Sequence, residues 1–309
     1  MIVAYLFPGQ GSQAVGMGKA LTERSAGARE LFGRADEVLG FPLSKLCFEG
    51  PEEELRLTRN TQPALLVVST AACREIGRDP AVAAGHSLGE YSALVAAGSL
   101  RFEDAVLLVH KRGRYMQEAV PVGVGAMAAV LGVPGEEIER RLGDVRAGVV
   151  EIANWNSDDQ IVISGEKAAV EEALAAIRAP RSVVLPVSAP FHSRLMKPAE
   201  ERLAADLDAV DFADPRFPIV TNVDARLIRT GEEARDALKR QVSRAVLWTK
   251  SMGVLRDLGV DACVECGPGK VLAGLLKRIG RTWPKPPVLH NVEDGEGAEK
   301  ARAVLFGFL

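Results

Sequence analysis

The residue in this chain with the clearest potential for chemistry is Ser87, at the centre of Gly85-His86-Ser87-Leu88-Gly89, a G-x-S-x-G pattern. A short apolar run, 81–84, precedes it, and a helix-forming stretch, 88–97, follows it. A serine on such a strand-to-helix turn holds its hydroxyl outside the backbone envelope, and the helix start directs free N–H groups at whatever is bound to its oxygen. The pattern predicts a nucleophile. A glycine-rich turn with an incidental serine is the alternative, because short motifs also arise by chance.

Arg112 draws attention because its position in a helix conflicts with its charge. The segment 101–119 is predicted to be helical, and at about 100° per residue Arg112 falls at the centre of its apolar face. The other members of that face are Phe102, Ala105, Val109, Met116 and Ala119. An arginine there must meet an anion or carry an unbalanced charge inside. An internal Asp or Glu, a side chain that reaches back to solvent, and the carboxylate of a bound substrate all remain open.

His192 is one of only four histidines, and it follows Ser188-Ala189-Pro190-Phe191 just before a helix predicted for 195–207. Histidine is the commonest general base, because its ordinary pKa lies near neutrality. A loop position before a helix is nevertheless more typical of a surface or capping histidine. From its place in the chain alone, the role of His192 stays undecided.

Three further motifs resemble known sites but lack the context that those sites need. Gly9-Gln10-Gly11-Ser12-Gln13-Ala14 has dinucleotide-binding spacing, yet 19–39 is predicted to be one continuous helix, and no second strand ends in an acidic residue at the required distance. Cys263-Val264-Glu265-Cys266 is a C-x-x-C pair without the partner ligands of a zinc site. Gly267-Pro268-Gly269-Lys270 lacks full P-loop spacing. We therefore expect neither a metal site nor a nucleotide cofactor.

The order of predicted elements indicates an α/β protein with a second module inserted into it. A first strand covers 2–7, and Thr61-Gln62-Pro63 opens a helix over 64–76. Between 125 and 188 the elements run β-α-β-β-α-β, the order of a ferredoxin-like module. Its predicted strands are 126–131, 149–153, 161–164 and 183–187, and its predicted helices are 136–142 and 167–179. We expect one domain from 1–124 and 189–309 and a small subdomain at 125–188.

Composition narrows the class of protein. The 309 residues have 47% hydrophobic content and a net charge of −3, which is typical of a globular protein and gives no basic surface for nucleic acid. Four cysteines are too few for a disulfide scaffold. The first seven residues lack a signal-peptide pattern, and no apolar run approaches membrane-spanning length. We expect a soluble, cytoplasmic protein that binds neither nucleic acid nor membrane.

Several motifs along the chain occur in the same order in one family. They are Phe7-Pro8-Gly9-Gln10-Gly11-Ser12-Gln13, Thr61-Gln62-Pro63-Ala64-Leu65, Gly85-His86-Ser87-Leu88-Gly89-Glu90-Tyr91-Ser92-Ala93, Arg112-Gly113, Asn154-Trp155-Asn156-Ser157, His192 and Glu265-Cys266-Gly267-Pro268-Gly269-Lys270-Val271-Leu272. The chain resembles the malonyl-CoA:acyl carrier protein transacylases of fatty-acid and polyketide synthesis. The resemblance extends from residue 2 to about residue 280. Each motif alone is weak, but the ordered set is specific.

The resemblance implies a fold and a pair of reacting residues. The fold is an α/β-hydrolase-like large domain with a parallel sheet, plus an inserted ferredoxin-like small subdomain. Ser87 would be the nucleophile and His192 its general base, without a carboxylate as third member. The backbone carbonyl of Gln241 would orient the other ring nitrogen of His192.

The resemblance also implies how the substrate is held. The backbone N–H groups of Gln10 and Leu88 would form the oxyanion hole, and Arg112 would bind the free carboxylate of a malonyl group. The remaining pocket-lining residues would be Gln62, His86, Asn154 and Phe191. For His86 the motif forces the position, and packing is the role that we expect.

The implied reaction moves a malonyl group from coenzyme A to the phosphopantetheine thiol of an acyl carrier protein through a malonyl-serine intermediate. The resemblance implies that malonyl-CoA is the substrate and that no cofactor is tightly bound. Because members of the family are commonly monomeric, it also implies a monomer. The sequence departs from the family at Asp158-Asp159, where Pro-Gly is frequent, and at Ser243-Arg244-Ala245-Val246-Leu247-Trp248, near Gln241. Phe191 replaces a common serine. We expect its ring to crowd an α-methyl group and so to favour malonyl over methylmalonyl.

Two other interpretations are kept for comparison. A serine hydrolase with chain order Ser, Asp, His would use Ser87, Asp261 and His290. A non-enzymatic subunit that merely docks a carrier protein would need none of these residues to react.

Overall fold

The computed structural model describes residues 1–187 and 189–306, and its chain forms two β-sheets with helices packed against them. In the first part of the chain the elements are β1 (Val3–Phe7), α1 (Lys19–Arg24), α2 (Ala26–Leu39), α3 (Leu43–Glu49), α4 (Glu52–Leu55), α5 (Thr58–Ile76), β2 (Val82–Gly85), α6 (Gly89–Ala96) and α7 (Phe102–Glu118). Next come β3 (Gly125–Leu131), α8 (Gly135–Leu142), β4 (Val150–Ser157), β5 (Gln160–Glu166), α9 (Lys167–Ile177) and β6 (Arg181–Val184). The last part contains α10 (Lys197–Asp208), β7 (Ile219–Val220), β8 (Leu227–Ile228), α11 (Gly231–Gln241), α12 (Trp248–Asp257), β9 (Ala262–Cys266), α13 (Val271–Ile279), β10 (Val288–Val292) and α14 (Gly295–Phe306).

The larger sheet has the strand order β10-β9-β1-β2-β7-β8 and is parallel except for β8. Its central strands β1, β2 and β9 are fully buried, as expected where helices cover both faces of a parallel sheet. In the register of β1 and β2, Phe7 lies opposite Gly85. The loops that follow these two strands therefore leave the same edge of the sheet, which brings the Gly9-Gln10 segment beside Ser87.

The smaller sheet has the order β4-β5-β3-β6, with every neighbouring pair antiparallel. With α8 and α9 it gives the predicted β-α-β-β-α-β module, so the predicted fold class is confirmed. Two of its strands differ from prediction. β4 continues to Ser157, which still pairs with Gln160 of β5, and Trp155 also donates to the Val246 carbonyl of the larger unit. β6 starts earlier, opposite Leu131 of β3. Ser188, the predicted last residue of the subdomain, lies outside the described residues.

Two helix predictions are wrong at particular residues. The segment predicted as one helix over 19–39 breaks at Ser25, whose backbone is extended and whose hydroxyl accepts from the Ala28 N–H at 3.2 Å as an N-cap. Helix α5 begins at Thr58, so Pro63 lies inside the helix rather than near its start.

The proline is tolerated because another helix supplies the missing donor. Pro63 has no N–H for the carbonyl of Arg59, four residues earlier, and His110 Nδ1 of α7 lies 2.9 Å from that oxygen instead. Gly113 permits the close approach of the two helices, since a Cβ there would lie 2.6 Å from the Thr58 carbonyl oxygen. These contacts fix α5 and α7 side by side. Within the described ranges, none of the helices is both long enough and apolar enough to cross a membrane.

Candidate active site

Ser87 occupies a strained turn between β2 and α6, with φ of 52°. The two flanking glycines are required, since a Cβ on Gly85 would lie 1.9 Å from the Gly89 carbonyl carbon and one on Gly89 would lie 2.0 Å from the Phe7 carbonyl oxygen. Asn222, just after β7, fixes the turn from the side. Its Oδ1 accepts from the Ser87 N–H at 2.6 Å and its Nδ2 donates to the Gly85 carbonyl at 2.6 Å. The turn therefore holds the serine hydroxyl at the carboxyl edge of the sheet.

His192 meets Ser87 although the two are separated by the smaller sheet in the chain. The distance from Ser87 Oγ to His192 Nε2 is 2.7 Å. His192 Nδ1 lies 3.0 Å from the Gln241 carbonyl oxygen and 3.2 Å from that of Arg244. Because carbonyl oxygens only accept, Nδ1 carries the proton and Nε2 is free to accept from the serine. Burial and the nearby charge of Arg112 lower the pKa of His192 to about 3, so the ring is neutral near pH 7.

Arg112 is buried, with 1% of its surface exposed, and it reaches the nucleophile directly. Its Nη2 lies 3.1 Å from Ser87 Oγ and 2.9 Å from Gln241 Oε1, and its Nη1 lies 2.8 Å from Gln62 Oε1. Its Nε is buried and has no hydrogen-bond partner within the part of the chain that the structure describes. Among the described residues, no carboxylate forms an ion pair with Arg112, and the side chain does not reach back to solvent. The buried carboxylate of Glu90 acts on Arg112 electrostatically without forming an ion pair with it. Of the three possibilities raised by its position, these contacts favour binding of an external carboxylate.

The other residues expected at the site converge on one cavity. Its lining includes Gln10, Gln62, His86, Ser87, Leu88, Arg112, Asn154, Phe191 and His192, together with Met116, Met127, Leu185 and Val187. Within the part of the chain that the structure describes, the N–H groups of Gln10 and Leu88 donate to no protein acceptor, which leaves them available to a ligand.

His86 and Gln241 lie around this cavity in different ways. His86 Nε2 lies 2.8 Å from Asn156 Oδ1, and the centre of its ring lies 5.3 Å from that of Trp248, contacts that are typical of a packing residue. Burial lowers its pKa. Gln241 contacts both neighbours of Ser87. Its side-chain oxygen accepts from Arg112, and its backbone carbonyl oxygen accepts from His192 Nδ1.

The residues of the alternative hydrolase triad do not come together. Asp261 precedes β9, at the sheet edge opposite Ser87, where it accepts from the Ile2 N–H and from Lys285 Nζ. His290 lies in β10, which β9 and β1 separate from β2. Ser87, Asp261 and His290 therefore lie too far apart in the sheet to act on one bound substrate.

The cysteine pair and the glycine-rich turn near the end of the chain make structural contacts. Cys263 and Cys266 are buried thiols in β9, and burial raises their pKa. Glu265 accepts from the N–H groups of Leu272 and Ala273 at 3.0 and 2.8 Å, which caps the start of α13 beyond the glycine-rich turn.

Two residues at the centre of the site were missed by the sequence analysis, namely Asn222 and Glu90. Glu90 is fully buried, and burial raises the pKa of its carboxyl to about 7. The only signal for it was a carboxylate three residues after the nucleophile, in an otherwise uncharged helix. Asn222 gave no signal, because the hydrogen-bond partners of its side chain lie more than one hundred residues earlier in the chain.

A half-buried serine in contact with a buried histidine at the edge of a parallel sheet is the arrangement found in enzymes that work through an acylated serine. The family model described as the acyl transferase domain matches residues 4–298. The chain belongs to the acyl transferase family.

Named relatives narrow the resemblance. The chain is 48% identical over 287 residues to a malonyl CoA-acyl carrier protein transacylase of Bacillus subtilis, covering 90% of each chain. It is 49% identical over 284 residues to the protein of the same name from Escherichia coli K12, covering 89% of this chain and 92% of the relative.

Solved structures agree with these relatives. An acyl-carrier-protein-S-malonyltransferase of Bartonella henselae has a TM-score of 0.95 at 42% identity, with 99% of each chain covered. A malonyl-transacylase in complex with the acyl carrier protein of a type II PKS has a TM-score of 0.94 at 43% identity, covering 97% of this chain and 99% of that one.

Proposed function

We propose that this protein transfers a malonyl group from coenzyme A to the phosphopantetheine thiol of an acyl carrier protein through a malonyl-serine intermediate. One observation carries the proposal: Ser87 Oγ lies within hydrogen-bond distance of both His192 Nε2 and the buried guanidinium of Arg112. An acyl group on this oxygen touches a base at one end and a cation at the other. The names of the relatives and the carrier-protein complex of the similar structure support the same reaction.

In the first half-reaction, His192 Nε2 takes the hydroxyl proton of Ser87 as Oγ attacks the thioester carbonyl carbon. The carbonyl of Gln241 stabilises the protonated ring. The N–H groups of Gln10 and Leu88 receive the negative charge that develops on the thioester oxygen, a contribution of about 3 kcal/mol for each donor. The C–S bond then breaks, and His192 returns the proton to the sulfur of coenzyme A.

Arg112 selects the acyl group during this step. A planar guanidinium pairs with a carboxylate through two charge-assisted hydrogen bonds, and these are stronger than its bonds to neutral amide oxygens. The free carboxylate of malonyl therefore replaces the present contact with Ser87 Oγ. A neutral acetyl group offers no such partner.

In the second half-reaction, the phosphopantetheine thiol gives its proton to His192 and attacks the malonyl-serine carbonyl. The tetrahedral intermediate collapses with cleavage of the bond to Oγ, and His192 returns the proton to Ser87. Ping-pong kinetics follow, because coenzyme A leaves before the carrier protein reacts.

Gln62, Asn154, Phe191 and His86 form the wall of the acyl pocket. The enzyme acts as a cytoplasmic monomer with no tightly bound cofactor.

The chain divides into one domain, made of 1–124 and 189–309, and a subdomain at 125–188. This division is supported by a separate buried cluster in the smaller unit and by the close contact of Gly125 with Pro190, where the chain enters and leaves it.

Phe191 adds a preference for malonyl over methylmalonyl. The residue is buried at the cavity wall, next to the base. A ring at that position leaves little room for an α-methyl group. Turnover of the two thioesters at equal concentration tests this, and equal rates would remove the role of Phe191.

The proposed function is tested by incubating the protein with labelled malonyl-CoA and a holo carrier protein, and then weighing both proteins by mass spectrometry. We expect a malonyl adduct on Ser87, absent in Ser87→Ala, and label on the carrier thiol. His192→Ala should slow adduct formation by about 100-fold or more, the range for loss of a general base. His290→Ala is the matched control and should react normally. An unmodified Ser87 with a carrier protein still bound would instead indicate a docking subunit.

A further inference from the structure

Glu90 is a buried carboxylate that the mechanism above does not use. It lies on α6, one turn after the nucleophile, and has no exposed surface. Its Oε2 accepts from the Asn222 N–H at 3.0 Å and from Gln241 Nε2 at 2.8 Å. Its Oε1 is buried and has no hydrogen-bond partner among the described residues. A proton on Oε1 would therefore disturb none of the existing hydrogen bonds.

Gln241 connects this carboxylate to the substrate-binding cation. Its amide nitrogen donates to Glu90 and to the Ser87 carbonyl, the latter at 3.0 Å, while its amide oxygen accepts from Arg112 at 2.9 Å. Glu90 can only accept when ionised and Arg112 can only donate, so the amide has one possible orientation. The opposite charges of Glu90 and Arg112 are thus separated by a single amide group in a buried site, where electrostatic interactions are weakly screened.

We propose that Glu90 is a positioning residue for malonyl recognition, which acts through Gln241 to set the orientation and the available charge of Arg112. The inference rests on the proposed malonyl transfer. When Glu90 is ionised, it and the malonyl carboxylate compete for one guanidinium. When Glu90 is neutral, the full charge of Arg112 is available to the substrate. Binding of a malonyl group and binding of a proton to Glu90 consequently favour each other, and this coupling is reciprocal.

The other groups that face Glu90 keep their charge near neutral pH. From α7 it faces Arg112. Burial lowers the pKa of this side chain, but a guanidinium stays protonated in proteins. From the segment after β7 it faces Asp224, whose pKa is lowered by hydrogen bonds from Arg240. On its own helix, burial raises the pKa of Tyr91. Since burial brings the pKa of Glu90 itself to about 7, Glu90 is the group in this network that titrates between pH 6 and 8.

The test measures the acylation of Ser87 by malonyl-CoA and by acetyl-CoA between pH 6 and 8, in the wild type and in Glu90→Gln. In the wild type we expect the KM for malonyl-CoA to rise by roughly fivefold across this range, as one pKa unit of coupling requires, while that for acetyl-CoA stays level. Glu90→Gln should keep the low malonyl KM at every pH. Both thioesters carry the same coenzyme A, so titration of that part of the substrate affects them equally. The inference is overturned if Glu90→Gln changes both substrates alike or keeps the wild-type pH dependence.

A second measurement covers the case in which Glu90→Gln does not fold. Malonyl-CoA is titrated into Ser87→Ala by calorimetry at pH 7 in buffers of different ionisation heat, which reports the protons taken up on binding. We expect a fractional proton uptake that acetyl-CoA does not cause, and equal uptake for both ligands would overturn the role of Glu90. If wild-type Ser87 is never malonylated, the proposed function fails. If it is malonylated without these pH effects, the inference about Glu90 alone fails.

Discussion

Among the described residues, the hydrogen bonds of the buried Arg112 guanidinium go to amide and hydroxyl oxygens, and none goes to a carboxylate. Arg112→Met keeps most of the length of the side chain and removes the charge. We expect the kcat/KM for malonyl transfer to fall by about 100-fold, because roughly 3 kcal/mol of charge-assisted hydrogen bonding is lost. Acetyl transfer should stay the same or rise, since a neutral acyl group gains nothing from the cation. Acylation rates with both thioesters measure this, and an equal fall in both would mean that Arg112 only holds the pocket in shape.

At the same scale, the sequence reveals some functional residues and hides others for physical reasons. The charge of Arg112 on an apolar helix face is visible because helical periodicity is local. His192 was assigned only through the family resemblance, because a histidine in a loop gives no local sign of its partners. Glu90 and Asn222 were missed because their hydrogen bonds join α6, the segment after β7 and α11, and such contacts exist only once the chain has folded.

At the scale of elements, the contact between α5 and α7 depends on an exchange of donors. His110 Nδ1 occupies the Arg59 carbonyl that the N–H of residue 63 would bond in an ordinary helix. His110→Phe keeps a ring against Phe41, which now lies 5.8 Å away, but removes the donor. We expect the free energy of unfolding to fall by about 1 kcal/mol, the usual value of a hydrogen bond at a half-buried site. Urea unfolding measures the change.

Pro63→Ala provides the control for this effect, because it restores the backbone N–H. In the Pro63→Ala background the Arg59 carbonyl has a donor within its own helix. His110→Phe should therefore lower the free energy of unfolding clearly less than it does with Pro63 present. The difference between the two backgrounds is the coupling energy of a double-mutant cycle. An equal cost in both backgrounds would show that His110 stabilises the helices by packing instead.

Elements with a strong periodic pattern were predictable, and those governed by one local contact were not. The first strand, the strands of the smaller sheet and most of the predicted helices were placed from apolar periodicity to within a few residues at their ends, apart from the start of α5. The break at Ser25 was missed because a serine hydroxyl competes with the helix only when the chain turns there. Strand β8, of two residues, pairs with β7 and carries too little pattern to be recognised.

At the scale of the whole molecule, the site is a meeting point of distant segments. The carboxyl edge of the parallel sheet contributes the Gln10 loop and Ser87, and α7 contributes Arg112 from behind. The chain returns from the smaller sheet with His192, and α11 ends at Gln241. The smaller sheet itself closes the cavity with Asn154 and Met127. Both sheets must therefore be packed together before the proposed chemistry is possible.

This assembly buries two titratable groups whose effects on global stability oppose each other. The folded-state pKa of Glu90 is about 7, above its ordinary 4.5, so the folded state binds more protons between these values and the free energy of unfolding falls as pH rises. The folded-state pKa of His192 is about 3, below its ordinary 6.5, so between these values the unfolded state binds more protons and the free energy of unfolding rises with pH. Between pH 4.5 and 6.5 the two contributions offset each other.

Removing either group should expose the contribution of the other. Between pH 4.5 and 7, Glu90→Gln should gain stability relative to the wild type by up to about 3 kcal/mol, because it no longer has a carboxylate that is forced to ionise in the core. His192→Gln should show the reverse, losing the rise in stability that the wild type draws from a buried neutral imidazole as pH increases toward 6.5. Urea unfolding at several pH values measures both, and subtraction of the wild-type curve cancels the three histidines common to all. Curves parallel to that of the wild type would mean that neither group titrates abnormally in the folded state, and that the pH dependence expected for malonyl binding has another source.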